Sequence, residues 1–363
     1  MKTIKTRKLA VGVNITVLLL SSYAFAAPSI TSVTGAVTHG QVVTVNGSGF
    51  GVKSPVAPLM WDPIDGVYSS IANGATVPTG TGYPWNSSGG SDMYNPTFIT
   101  TNPRGKLVAK YTNAKSPSSV HNAVLGGKSW SQCTGNKLYL SYWHYPYQDI
   151  SNPGYSNKIM RLTDNGGWSS SVSTVLWDTG TGALFTYSAS SGYTGYDYPD
   201  WGNVKAWNRL EVVVDNSVST RPAVKAYTNN ALTGSFQSSS SIANIIGIYT
   251  LGADWSNSQN SPIPQLDWGE IYVDNTLARV EICNASAKAS SNHCEIQIPQ
   301  TVWNDGQLQF KVNQGSFPDN STAYLFVLDA SGSVSAGKQI TFGSGDGGGT
   351  ATIAPPSGLK VVN

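Results

Sequence analysis

Chemistry in this chain has to come from few residues. Three carboxylates crowd one short segment: Asp267, Glu270 and Asp274 in Leu266-Asp-Trp-Gly-Glu-Ile-Tyr-Val-Asp274. Acid and nucleophile work on a glycosidic bond needs two carboxylates sharing one space. On an extended strand Asp267 and Glu270, three apart, point to opposite faces, so this pair is not expected to act together. His144 lies in Tyr142-Trp-His-Tyr-Pro-Tyr147, an aromatic strand end where a proton acceptor could sit. Sugar rings are recognised by aromatic faces together with Asn, Asp and Gln hydrogen bonds. Two segments have that composition: Tyr142–Tyr147, followed by Asp149 and Asn152, and Tyr193-Thr-Gly-Tyr-Asp-Tyr-Pro-Asp-Trp201. The second is bracketed by Gly and Pro and reads as a loop. The candidates for ligand contact are therefore Tyr142, His144, Tyr145, Tyr193, Tyr196, Tyr198 and Trp201. Trp207, at a strand start, reads as core. The four histidines are scattered and no CxxC or HExxH spacing occurs, which argues against zinc. Gly343–Gly349 is followed by neither a helix nor Lys-Ser/Thr, so it is not a phosphate loop.

These residues must be held by strands. The chain has 363 residues, of which only 12% are charged. Soluble domains average about 25%, so a coiled coil or charged helical bundle is excluded. Net charge is +2, with no basic run after residue 8, which excludes an electrostatic footprint for nucleic acid. Residues 1–26 read as a secretory leader: Lys2, Lys5, Arg7 and Lys8, then an apolar run, then Ala24-Phe25-Ala26. Loss of those four basic residues turns +2 into −2. No later apolar stretch reaches bilayer length. Of three cysteines, Cys283 and Cys294 lie between two strand-like runs and can staple a hairpin, leaving Cys133 over. Short β-branched or aromatic runs recur between Gly, Asn, Asp, Ser and Pro, among them Gln41–Asn46, Lys137–Trp143, Arg209–Val214, Ala223–Tyr227 and Ala323–Leu328. This predicts an all-β chain of sandwiches.

Two resemblances follow. Pro28-Ser-Ile-Thr-Ser-Val33 with Gly40-Gln-Val-Val-Thr-Val-Asn-Gly-Ser-Gly-Phe-Gly51 resembles the opening of an IPT/TIG domain, a small Ig-like sandwich whose glycines permit a positive-φ turn. Its later strands resemble Ala278–Ile282, Cys294–Pro299, Gly306–Val312 and Ala323–Leu328. The expected domain is therefore split: residues 27–60 and 277–343, interrupted by residues 61–276, with 344–363 a flexible tail. Inside the interruption, Lys137–Trp143, Lys158-Ile-Met-Arg-Leu162, Ala206–Asn216 and Leu266–Asp274 resemble a concanavalin A-like jelly roll, the sandwich of legume lectins, laminin G modules, family 16 glucanases and several polysaccharide lyases. In that family the last strand pairs near the first, which brings the ends of the insert together.

A jelly roll hosts lectins and enzymes alike. Its glucanases carry Glu-x-Asp-x-x-Glu on one strand, and its lyases Arg-x-Glu-x-Arg and Gln-x-His; this sequence has none of these. The family often holds a structural calcium ion through an Asp of the last strand, which implies Asp267 or Asp274 as metal ligands, with Asp62 or Asp65 at the other end of the insert. No other cofactor is implied. The expectation is a secreted or bacterial cell-surface protein, or a periplasmic one, that binds a polysaccharide or cell-surface glycan without catalysis. The alternatives are a jelly-roll polysaccharide lyase or glycoside hydrolase, and a structural subunit of a surface layer or filament.

Overall fold

The computed structural model describes residues 26–64, 71–88, 95–100, 104–105, 109–116, 119–120, 122–151, 156–167, 172–218, 220–256 and 264–343. The expected leader, the tail beyond residue 343 and Asp65 lie outside them. The architecture is all-β; the described residues outside strands include two short 3-10 turns, Ser131–Cys133 and Lys288–Ser290, and no α-helix.

The N-terminal strands pair across the whole chain. Val42–Ser48 hydrogen-bonds Ser29–Thr34 on one side and Gln307–Lys311 on the other, with Val45 opposite Leu308, and Ile298–Trp303 closes this sheet. A second four-stranded sheet orders Cys294–Ile296, Arg279–Cys283, Thr322–Leu328 and Lys338–Thr341. Val43, Val45, Leu308 and Phe310 face Val280, Ile282, Leu325 and Ile340 in one core. Gly47 is fixed by close approach: a Cβ there would stand 1.9 Å from the Ser29 carbonyl oxygen. Gly49 and Gly51 then make the turn at positive φ. Cys283 and Cys294 stand directly opposite each other on neighbouring strands of this second sheet and form a disulfide, while Cys133 is free and buried.

The segment between is a sandwich of two larger sheets. One runs Ala231–Gln237, Ala223–Thr228, Asn208–Asp215, Lys137–Pro146, Leu266–Asp274, Lys110–Thr112 and Thr97–Ile99. Met60–Asp62 also pairs Leu266–Asp274, so first and last strands of the insert meet. The other runs Gly192–Asp197, Ala183–Ser188, Ser173–Asp178, Ser156–Thr163, Gly247–Ser256, Ala123–Ser129 and Ser87–Ser88. Between them lies the larger core, including Trp85, Trp177 and Trp268.

The eight-stranded sheet is covered on both faces. Leu210, Val212 and Val214 enter the larger core, while Val213 packs outward with Tyr139, Tyr272 and Ile296 of the Ig-like unit. Two-sided burial explains why Glu211-Val-Val-Val214 shows no polar alternation. The seven-stranded sheet turns one face to the core, and its edge strand exposes Tyr193 and Tyr196.

The expected opposition of Asp267 and Glu270 is corrected. Trp268 and Ile271, also three apart, both enter the core, and pairing with Lys137–Pro146 shifts between Ser141 and Trp143. This bulge, with Glu270 at φ 53°, turns Asp267 and Glu270 to the same outer face.

Candidate functional site

The outer face of the seven-stranded sheet gathers buried Asp178 and Asp254 and half-buried Lys158 and Arg161 beside exposed tyrosines. Its central strand, Ser156–Thr163, bulges between Lys158 and Met160 against both neighbours. Met160 and Leu162 go into the core, so Lys158 and Arg161, three apart, emerge on the outer face. Directly opposed residues of antiparallel strands share a face. Lys158 stands opposite Asp178 on one side and Asp254 on the other; Arg161 stands opposite Leu176 and Thr250. Arg161 is ion-paired with Asp254 and lies 5.8 Å from the Tyr249 ring centroid. Asp178 accepts hydrogen bonds from Ser156 Oγ (2.7 Å) and the Asn157 backbone N–H (2.7 Å). Burial holds the Lys158 ammonium below its usual range; Asp254 and Asp178 oppose that shift, and Arg161 adds to it. Burial also raises the Asp254 carboxyl, against the pull of Arg161 and Lys158.

Beside these charges runs a groove of about 440 Å³, floored by Lys158, Leu176 and Asp178 and walled by Phe185, Tyr187, Tyr193, Tyr196 and Tyr198. The segment expected as a loop is in part a strand. Gly192–Asp197 pairs with Ala183–Ser188, because aromatic pairs lock the edge: Tyr193 lies 5.0 Å from Phe185 and 5.6 Å from Tyr187. Tyr193, Tyr196 and Tyr198 are 72, 60 and 64% exposed. Aromatics so exposed are not packing a core.

The other candidates lie elsewhere. Tyr142 and His144 are buried between the sheets, out of reach of a polymer, which corrects their expected ligand contact. Strand alternation carries them inward, and burial lowers the His144 pKa to about 4, keeping the ring neutral beside the Trp201 carbonyl oxygen at 2.7 Å. Trp201 lies half-buried over the sandwich edge. Tyr145 is half-buried between Tyr147 and Trp207, at 4.8 and 5.6 Å. Trp207 precedes its strand and is only half-buried, not core.

The carboxylates expected at a calcium ion do not fit one. Asp267 is paired with Lys110 and accepts the Tyr147 hydroxyl at 2.8 Å. Asp274 is paired with Lys53 at 2.9 Å and accepts the Tyr272 hydroxyl at 2.7 Å. Asp62 accepts from Trp85 Nε1 and the Tyr111 hydroxyl. Asp267 Oδ1 alone is left buried without a hydrogen bond; ammonium groups and N–H or O–H donors meet Asp267 Oδ2, Asp274 and Asp62, so the six to eight oxygens of a calcium shell are not assembled.

Lys158, Arg161, Asp178, Asp254, Tyr187 and Tyr249 were not singled out from sequence. One signal was present: Lys158-Ile-Met-Arg161 places two apolar residues between two cations, a break in alternation that marks a bulge.

No family model matches the sequence, and no curated protein matches it either. Solved structures do. The endo-β-1,4-glucuronan lyase from Trichoderma reesei is 13% identical, with TM-score 0.37, over 56% of this chain and 95% of its own. The PL-14 alginate lyase from Aplysia kurodai is 15% identical, with TM-score 0.36, over 53 and 90%. The carbohydrate recognition domain of Emp46p is 10% identical, with TM-score 0.33, over 60 and 99%. The likeness concerns the jelly-roll fold. Polysaccharide lyases predominate among these structures, which runs against the expectation of binding without catalysis.

Proposed function

We propose that this protein is a polysaccharide lyase that cleaves an acidic polysaccharide by β-elimination in the groove of the seven-stranded sheet. The observation that carries the reading is that Lys158 floors a groove walled by tyrosines, with Arg161 on the same outer face of the sheet. Elimination from a uronate needs a cation on the carboxylate, a base for the C5 proton and an acid for the departing oxygen. Arg161 supplies the fixed cation, since a guanidinium stays protonated. Lys158, with its ammonium destabilised by burial, is the base. It takes the proton from C5; the electron pair forms the C4=C5 double bond as the C4–O bond breaks. Tyr187, in the same groove, protonates the released oxygen. No water enters, so the products are one ordinary chain end and one unsaturated uronate.

Tyr193, Tyr196 and Tyr198 are the stacking surface for flanking sugars. In this reading the chain is exported by residues 1–26 and works outside the cytoplasm, with an IPT/TIG-like frame carrying the jelly roll. The test is incubation with alginate, glucuronan, polygalacturonate and a neutral glucan, reading both the ultraviolet absorbance of the new double bond and new reducing ends. Both signals should rise together on a polyuronate and stay flat on the glucan. New reducing ends without the double bond mean hydrolysis, and no cleavage of any polyuronate also rejects the proposal.

A further inference from the structure

A second cavity, of about 690 Å³, lies on the other side of the jelly roll, between its eight-stranded sheet and the Ig-like unit. Its size falls within the range of small-molecule sites, about 300–1,000 Å³. Both modules line it. Tyr139 and Tyr227 come from the insert, and Leu277, Phe326, Leu328 and Val334 from the Ig-like unit. Asn230, in a hairpin turn at positive φ, reaches across and donates to the carbonyl oxygens of Lys288 (2.7 Å) and Ser291 (3.1 Å).

The charges on its wall do not cancel. The charged lining residues are Glu211, Arg279 and Lys288. Directly behind them, Arg209 and Glu281 complete the cluster, with Arg209 2.8 Å from Glu211 and Lys288 2.6 Å from Glu281. Three cations therefore face two carboxylates. Arg279 donates through Nε to Glu281 (2.6 Å) and through Nη1 to the Leu277 carbonyl oxygen (3.0 Å), while its Nη2 stands 3.6 Å from Glu211, longer than a hydrogen bond. A buried excess cation is costly unless an anion meets it. Burial accordingly drives the Lys288 ammonium below its usual range, although Glu281 opposes this.

We propose that this intermodule cavity binds a small organic anion, one carboxylate or sulfonate head against Arg279 and Lys288 and an apolar body against Leu277, Phe326 and Leu328. The site is separate from the groove and does not depend on the lyase reading. Because both modules contribute to it, an occupant also fixes one against the other.

The probe is anilinonaphthalene sulfonate, an apolar anion, compared with uncharged N-phenylnaphthylamine of similar shape. Fluorescence titration of the full chain should show one saturable site for the anion, with affinity at least about tenfold above that of the neutral analogue. Ala287→Trp, at an exposed position on the rim, should abolish the site while leaving the melting temperature unchanged. Lys288→Gln should weaken anion binding about tenfold or more and spare the neutral analogue. Equal binding of the two probes, or anion binding that survives Ala287→Trp, overturns the proposal. So does the absence of a saturable site.

Discussion

The two outer faces of the jelly roll are built with the same device and put to different use. On each, a bulge brings two charged residues three apart onto one side: Asp267 and Glu270 on the eight-stranded sheet, Lys158 and Arg161 on the seven-stranded one. On the first face every partner is protein. Glu270 meets Arg104 and Asn313, and Arg104 lies 3.9 Å over the Trp143 ring while binding Glu295 of the Ig-like unit. On the second, Arg161 pairs with Asp254 within the sheet, and Tyr193, Tyr196 and Tyr198 are exposed. A bulge-paired set of charges thus makes an interface where the second module sits and, in the proposed reading, a site on the other face. Chemistry follows from what the fold leaves uncovered, not from the residue inventory.

The largest effect that sharpens this contrast is on turnover. Lys158→Arg keeps a cation in place but removes a group able to give up its proton. Elimination should fall about 10²–10⁴-fold, the usual worth of a positioned base. Arg161→Lys, which keeps the charge without the planar fork, should lose less. If Lys158→Arg retains full activity, the open face is not the reaction centre. The counterpart on the covered face is Arg104→Met. It strands Glu270 and Glu295 as buried charges, and breaking a buried pair costs about 3–5 kcal/mol. Denaturant unfolding measures this; a loss below about 1 kcal/mol would mean that the interface does not need its ions.

Much of the fold was legible in the sequence, and for a physical reason. Runs such as Gln41-Val-Val-Thr-Val-Asn46 and Leu138-Tyr-Leu140 carry the period of two, and Gly47 to Gly51 carry the turn, so strands and their faces could be read directly. The three tyrosines of the groove stood out by composition, aromatic rings among Gly, Asp and Pro, although the segment reads as a loop and is in part a strand. Lys158 and Arg161 stayed hidden because a bulge is a pairing irregularity, set by the neighbouring strands rather than by local composition. His144 misled in the opposite sense: its aromatic neighbours suggested a site, but alternation buries it. The calcium expectation failed for a third reason. Lys53 and Lys110, which fill the place of the ion, lie more than 150 residues from the aspartates that they neutralise.

The Ig-like unit should respond to reduction and acid where the groove sheet does not. The Cys283–Cys294 bond closes a loop of 11 residues, which corresponds to about 3 kcal/mol of constraint on the unfolded chain. Cys283→Ser with Cys294→Ser should lower the stability of this unit by that order, seen as a shifted denaturant midpoint. Acid acts through carboxylates. Arg104 and His293 hold Glu295 down at about 2 against the burial that would raise it, and Arg209 does the same for Glu211 and Glu281. These folded values lie below the unfolded value, so their stabilisation is complete above about pH 4.5 and is lost as pH falls toward about 2. Asp254 has the opposite sign: raised in the folded state, it costs stability when ionised, and acid relieves that cost. Hydrogen exchange across this window should open Arg279–Cys283 and Cys294–Ile296 before Ser156–Thr163. The reverse order would break the contrast between the faces.

The smallest effect tests how far the groove extends beyond its charges. Tyr196 and Tyr198 are well exposed and lie 5.6 Å apart at an edge, so truncating either removes little buried area. Tyr196→Ala should change stability by no more than about 0.5 kcal/mol, the range of surface substitutions. Stacking of a ring on a sugar is comparable to an aromatic pair, about 0.5–1.5 kcal/mol, equivalent to about two- to tenfold in affinity. For a flanking sugar that contact is made equally in the ground and transition states, so KM should rise while kcat holds. The effect should vanish on a substrate too short to reach the edge strand. A fall in kcat instead would move the tyrosines into the reaction itself. A KM indifferent to Tyr196→Ala and Tyr198→Ala together would confine the site to the sheet floor around Lys158 and Arg161, leaving the exposed rings without a part in recognition.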